Sequence, residues 1–158
     1  MTTNISTPTD REILSERIFD APRERVFAAH TDPALIPQWW GPRRMTTTVL
    51  EMDVRAGGTW RFVASDGDGR EQVFHGVYRE VSPPERIVQT FEWEGMPGHA
   101  IVETISFEDL GGERTRLTIT SLFHTTDERD GMLAAGMEGG LRESHDRLDE
   151  LLAAQPAR

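Results

Sequence analysis

Between Thr46 and Ile119 the apolar residues recur at every second position, and one long amphipathic helix follows. Leu50, Met52 and Val54 alternate with Glu51, Asp53 and Arg55. Trp60 with Phe62, Phe74 with Gly76 and Tyr78, Ile87 to Trp93, Ile101 to Phe107, and Leu117 with Ile119 continue the pattern. A period of two over short runs, punctuated by Gly57-Gly58, SDGDGRE, Pro83-Pro84, EGMPGH and Gly111-Gly112, predicts antiparallel strands joined by tight turns. Such a sheet has one apolar face that must be covered, and residues about 126–152 form the only element long enough to do so. Ahead of the sheet, Ile13 to Phe19 reads as a first strand. A helix then opens at Asp20-Ala21-Pro22, and a second short helix opens at Asp32-Pro33. The expected fold is α+β of the helix-grip type: a curved antiparallel sheet of about seven strands around a long C-terminal helix, with two short helices after the first strand.

The 158 residues are enough for one domain with a full core. Residues 11–153 are expected to form it, with 1–10 a frayed N-terminus and 154–158 a tail. Lys plus Arg count 17 against 27 Asp plus Glu, a net charge of -10. That sign opposes phosphate backbones and anionic lipid surfaces, so neither nucleic acid nor membrane is an expected partner. The chain has no cysteine, which excludes disulfides and Cys-based metal sites and fits a reducing, cytoplasmic setting. The N-terminus has no apolar run of the kind a signal peptide or anchor needs. A homodimer is left open.

The candidate site is built from aromatic residues. Trp39-Trp40-Gly41-Pro42 places two of the four tryptophans side by side. Neighbours lie about 100° apart on a helix, so one ring can enter the core while the other covers a groove. Alternation brings Trp60, Phe62, Phe74, Tyr78, Phe91 and Trp93 to one sheet face, with Arg61 and Glu92 on the other. In the last helix Met137, Leu141, Leu148 and Leu152 form a single stripe. His145 sits on that stripe, four residues after Leu141. Gly136, Gly139 and Gly140 each cost the helix about 1 kcal/mol relative to alanine. The cost is explained by close approach of a strand, by room for a ligand, or by a kink between two shorter helices. Together these residues outline a cavity lined by Trp39 or Trp40, Trp60, Phe62, Phe74, Tyr78, Phe91, Trp93, Met137 and Leu141, with His145 as a polar contact.

The runs RIFDAPRERVFAAHTDPALIPQWWGP, GGTW at 57–60 and GVYREVSPPERIVQTFEW resemble the START-like (SRPBCC, Bet v 1-type) superfamily. Within it they are most similar to the branch of homologues of the activator of the heat-shock-protein-90 ATPase, often labelled polyketide-cyclase-like. The resemblance covers about residues 13–152. It implies a sheet wrapped round the last helix and a deep cavity for apolar small molecules, with Trp39-Trp40 beside its mouth. Ala21-Pro22 and Val26-Phe27 match the helix start, and Gly57-Gly58 matches the strand turn. Gly76, Glu80, Pro83-Pro84 and Arg86 match the following hairpin. Homologues often place a tryptophan after the glycines of the final helix, where this chain has Leu141.

The catalytic inventory is short. No Gly-x-Ser-x-Gly, Walker loop or dinucleotide fingerprint is present. The five histidines show no metal-ligand spacing, so neither metal nor cofactor is expected. Glu103 is in register with Ile101, Ile105 and Phe107. The preferred reading pairs it with Arg17 or Arg61 in a strand-end salt bridge; buried without a cation, it would have a raised pKa. Binding of a hydrophobic small molecule without catalysis is the leading function. The alternative is a cyclase or dehydratase using Glu103 and His145 as its acid/base pair. Co-chaperone action ranks last, because the eukaryotic activators carry an additional domain that these residues do not match.

Overall fold

The computed structural model describes residues 2–154. Eight strands form one antiparallel sheet: β1 (Asn4–Ser6), β2 (Glu12–Phe19), β3 (Thr46–Met52), β4 (Thr59–Ser65), β5 (Glu71–Ser82), β6 (Arg86–Trp93), β7 (Ile101–Gly111) and β8 (Arg114–Leu122). Their order across the sheet is β1-β2-β8-β7-β6-β5-β4-β3, so every turn from β3 to β8 joins neighbours. Helix α1 (Arg23–Thr31) and a 3-10 turn (Ile36–Gln38) bridge β2 to β3. Helices α2 (Thr126–Ala134) and α3 (Met137–Ala154) close the chain. The α+β helix-grip architecture holds, with eight strands rather than about seven.

The extra strand is β1. The first ten residues, expected to fray, instead pair Asn4 to Ser6 with Glu16 to Leu14 of β2. Thr3 is completely buried, because the guanidinium of Arg17 donates to its hydroxyl at 3.1 Å. Residues 155–158, most of the expected tail, lie outside the described residues; Ala154 still belongs to α3.

Three register shifts curve the sheet, at Val49/Glu51, Tyr78/Glu80 and Asp109/Gly111. Each inserts a residue and increases the local twist. The first corrects the reading of β3: Leu50 sits in the bulge and is 52% exposed, while Val49, Met52 and Val54 pack inward. Gly76 marks a second tight point. A Cβ there would lie 1.9 Å from the Thr90 carbonyl oxygen and 2.5 Å from the Trp60 indole nitrogen.

The final helix is two helices. Gly136 takes φ +84°, a left-handed conformation that ends α2 as a glycine C′ residue does. The Thr125 hydroxyl caps the start of α2 by accepting from the Glu128 amide at 3.1 Å. No residue of α2 is buried, whereas α3 buries Ser144, His145, Leu148, Leu151 and Leu152. Only the C-terminal half of α3 is therefore seated on the sheet. It meets Phe19, Val26, Phe27, Phe107 and Leu117 in the main core. A smaller core of Ile13, Ile101 and Phe123 gathers Met132, Leu133 and Met137 at the other end.

Glycines in the two regions should respond oppositely to an added methyl group. Gly139→Ala meets nothing within 4 Å and should raise stability by about 0.5–1 kcal/mol through helix propensity. Gly76→Ala should lower it by more than about 3 kcal/mol, since the backbone of β6 must move. Urea midpoints of the two variants against the parent test both signs.

Candidate ligand-binding cavity

A cavity of about 520 Å³ lies between the aromatic face of the sheet and the first half of α3, bounded by the two cores. All eleven residues expected to contact a ligand line it: Trp39, Trp40, Trp60, Phe62, Phe74, Tyr78, Phe91, Trp93, Met137, Leu141 and His145. The void exists because α3 stands off the sheet there. Met137, Gly140 and Leu141 are only half-buried, and no Cβ added at Gly139 or Gly140 would touch a neighbour. Close approach of a strand thus does not account for these glycines.

The tryptophan pair divides its work. Trp39 is buried, donates its indole N–H to the Ala29 carbonyl at 2.9 Å, and stacks obliquely on His30 with centroids 4.8 Å apart. Trp40 turns to the sheet and meets Phe62 and Phe74 edge-on at 5.2 and 5.4 Å. Ser144 of α3 clamps the segment: its hydroxyl donates to the Trp39 carbonyl and accepts from the Gly41 amide, both at 3.2 Å. Trp60 continues the wall between Phe62 and Phe91, at 4.8 and 5.8 Å. Trp60 and Phe62 are buried as expected, but Phe91 is half-buried and Trp93 is 38% exposed. Trp93 ends β6 at the rim, where its ring lies over Gly95 instead of entering the core. Arg61 is exposed as expected. Glu92 is held closer to the protein than Trp93, its carboxylate accepting from the Gly98 amide at 3.1 Å.

The salt bridge expected for Glu103 does not form. Arg61 pairs with Glu94 at 2.8 Å, and Arg17 pairs with Asp146 at 2.9 Å and also with Asp149. Glu103 instead accepts from the Gln89 amide at 3.0 Å and from the Ser121 hydroxyl on neighbouring strands. Burial raises its pKa, and these two hydrogen bonds offset part of the rise. Its remaining accessible surface is cavity wall.

His145 is 2% exposed, edge-on to Phe19 at 5.6 Å, with its Nδ1 3.3 Å from the Thr3 hydroxyl. Burial lowers its pKa to about 3, and the neighbouring His30 and Arg17 push in the same direction. His30 shares a face of α1 with Val26 and Phe27 and is not among the eleven residues expected to contact a ligand. It lines the cavity, lies edge-on to Phe107 at 5.1 Å, and has its pKa lowered by burial to about 4. Its three- and four-residue spacing from Phe27 and Val26 was the signal available for it. Glu103 and His145 are not brought together. His145 lies against Phe19 and Thr3, whereas Glu103 is paired through Ser121 with Ile13, six residues and about 20 Å of strand from Phe19.

These features define a helix-grip domain with an aromatic internal cavity. The chain belongs to the family described as "Activator of Hsp90 ATPase homolog 1-like protein", whose model matches residues 20–153. A crystal structure of a Rhodobacter sphaeroides protein is 27% identical, covers 97% of this chain and 99% of its own, and superposes with a TM-score of 0.90. The AHSA1 protein of Silicibacter pomeroyi is 26% identical over 90% of this chain and 98% of its own, with a TM-score of 0.75. DynU16, a protein of the dynemicin biosynthetic locus, shares the fold at 24% identity and a TM-score of 0.70. It covers 92% of this chain, which spans 48% of DynU16. No curated protein sequence matches the chain. Among the described residues, no helix is long and apolar enough to cross a membrane.

The two histidines give the fold a signed pH dependence. Each pKa is depressed in the folded state, so the unfolded chain takes up the protons first as pH falls below about 6.5. Unfolding free energy should drop by about 1.4 kcal/mol per pH unit for each histidine between pH 6.5 and the folded pKa near 4 or 3. Glu103, with a raised pKa, contributes a slope of opposite sign at its own titration. Denaturation curves at pH 7 and pH 5 for the parent and His30→Gln test this. The variant should show the shallower loss.

Proposed function

We propose that the protein binds an apolar, ring-containing small molecule in this cavity and releases it unchanged. The observation that carries the reading is the unfilled 520 Å³ behind a continuous wall of Trp, Phe and Tyr side chains. The cavity is open at its mouth, so a ligand gains by displacing water from its apolar wall. Its volume falls in the range of small-molecule sites, and its few polar groups suit orientation more than bulk affinity. Removing about 200 Å² of ligand surface from water supplies roughly 5 kcal/mol before the cost of association, which by itself holds a small ring system to about 0.2 mM or weaker. Membership of the family and the likeness to DynU16 are compatible with either a binding or a cyclase-type role.

One observation favours a second reading. Glu103 is a half-buried carboxyl lining the cavity, its pKa raised by desolvation, a usual setting of a general acid or base. His145 does not supply its partner: it is uncharged at neutral pH and lies towards the far end of the cavity. Such an enzyme would depend on Glu103 alone, and Glu103→Gln would abolish turnover while binding persisted. Co-chaperone action rests on the family description only.

Leu141→Trp provides the test of the binding reading. Leu141 is half-buried at the cavity edge, so an indole there fills space without displacing the seated half of α3. Flavone and naphthalene should quench or shift tryptophan emission in the parent and bind at least tenfold more weakly to the variant, with the thermal midpoint unchanged or raised. No spectral response in the parent, or equal affinity in the variant, would defeat the proposal.

A further inference from the structure

Half-buried His30 of α1 and buried His145 of α3 both line the cavity, close enough for His30 to act on the titration of His145. Each has its Nδ1 committed to the protein, and the commitments differ. The Nδ1 of His30 is 2.8 Å from the Val26 carbonyl oxygen, which can only accept. His30 therefore carries its proton on Nδ1 and turns an unprotonated Nε2 outward. The Nδ1 of His145 faces the Thr3 hydroxyl, whose oxygen already accepts from Arg17 Nη1 at 3.1 Å. Thr3 is completely buried, and among the described residues His145 Nδ1 is the only acceptor within reach of its hydroxyl hydrogen. An unmade hydrogen bond there would cost the full desolvation of the group, so the hydroxyl donates and His145 carries its proton on Nε2. Neither Nε2 has a protein partner among the described residues, and both residues line the cavity.

We infer that His30 and His145 form a fixed acceptor–donor pair that selects a ligand carrying a neutral hydroxyl group. This rests on the cavity being a ligand site. A hydroxyl is the smallest group that satisfies both nitrogens at once, donating to His30 Nε2 and accepting from His145 Nε2–H. A carboxylate can only accept, so it leaves the lone pair of His30 facing a negative charge. An unsubstituted ring leaves both nitrogens unpaired. Burial keeps both imidazoles uncharged at neutral pH, so neither offers an anion a cation to pair with. Arg44, exposed at the mouth, is the alternative partner for an anionic ligand. Trp39, which lines the cavity and stacks on His30, favours a hydroxyl borne on an aromatic ring. Thr3 and Arg17 act as positioning residues, since they set the tautomer of His145 without facing the ligand.

Two measurements on the full chain test this. Long-range proton–nitrogen NMR correlations of the histidine rings should show His30 protonated on Nδ1 and His145 on Nε2. The same tautomer in both rings overturns the inference, whatever the variants do. Affinities for 2-naphthol, naphthalene and 2-naphthoate at pH 7 should then rank in that order, with naphthol at least tenfold ahead of naphthalene. His145→Phe and His30→Phe should each collapse the naphthol-to-naphthalene ratio towards one. Naphthalene binding as tightly as naphthol overturns the donor–acceptor pair but leaves the cavity reading standing. Naphthoate matching naphthol assigns the polar end to Arg44 and also overturns it. If none of the three binds, the cavity reading fails and this inference falls with it.

Discussion

The structure depends on how far the last helix can seat on the concave face of the sheet. Leu148, Leu151 and Leu152 lie within the main core, and there the helix and sheet are in full contact. Polar contacts lock the same half in place. Arg17, 3% exposed in the middle of β2, reaches Asp146 and Asp149, and Ser144 and Arg147 hold the backbone of the Trp39–Gly41 segment. Past Ser144, towards the N-terminus, no described residue of the helix is buried: Met137 only borders the smaller core, and Glu143 accepts from the Arg43 amide at 3.0 Å. The chain then breaks at Gly136, and α2 lies over the opening without burying a residue. A cavity is what remains when one half of a helix is tied and the other stands off.

Arg17 is the costliest of these contacts and the most informative. Removing a guanidinium from water is repaid only if its partners are well placed. Here Asp146 and Asp149 keep much of their exposure, 51% and 31% of the side chain, so they can remain charged while the cation is buried. The same group organises β1 through Thr3 and, through Thr3, the proton on His145. One buried charge thus links the edge strand, the last helix and the polar end of the cavity. It explains why Thr3 to Ser6, which carry no apolar run, are nonetheless part of the fold.

Much of the architecture was legible from residue pattern. The alternation of Trp60 with Arg61 and Phe62, or of Ile105 with Phe107, reports which face is apolar, because strand geometry puts successive side chains on opposite sides. The cavity wall followed from the same parity, and so did the inward direction of Glu103. Parity failed where the backbone departed from it. The bulge at Leu50 turned an apolar residue outward, and the end of β6 left Trp93 at the rim. The break at Gly136 left the whole stripe in α3 and separated residues 126–134 from it as a second helix, which helix periodicity permits but does not require.

By itself the sequence determined the class of fold, the aromatic character of one sheet face and the acidity of the surface, all properties of local order along the chain. Only the tertiary structure decided which partners the buried polar groups take. Glu103 meets Gln89 and Ser121 through strand neighbours 14 and 18 residues away, and Arg17 meets Asp149 across 132 residues. Such distances have no periodic signature. The same is true of the void: identical aromatic residues can pack solid or line a space. The choice rests on how the last helix is tied down at one end, which only the folded chain settles.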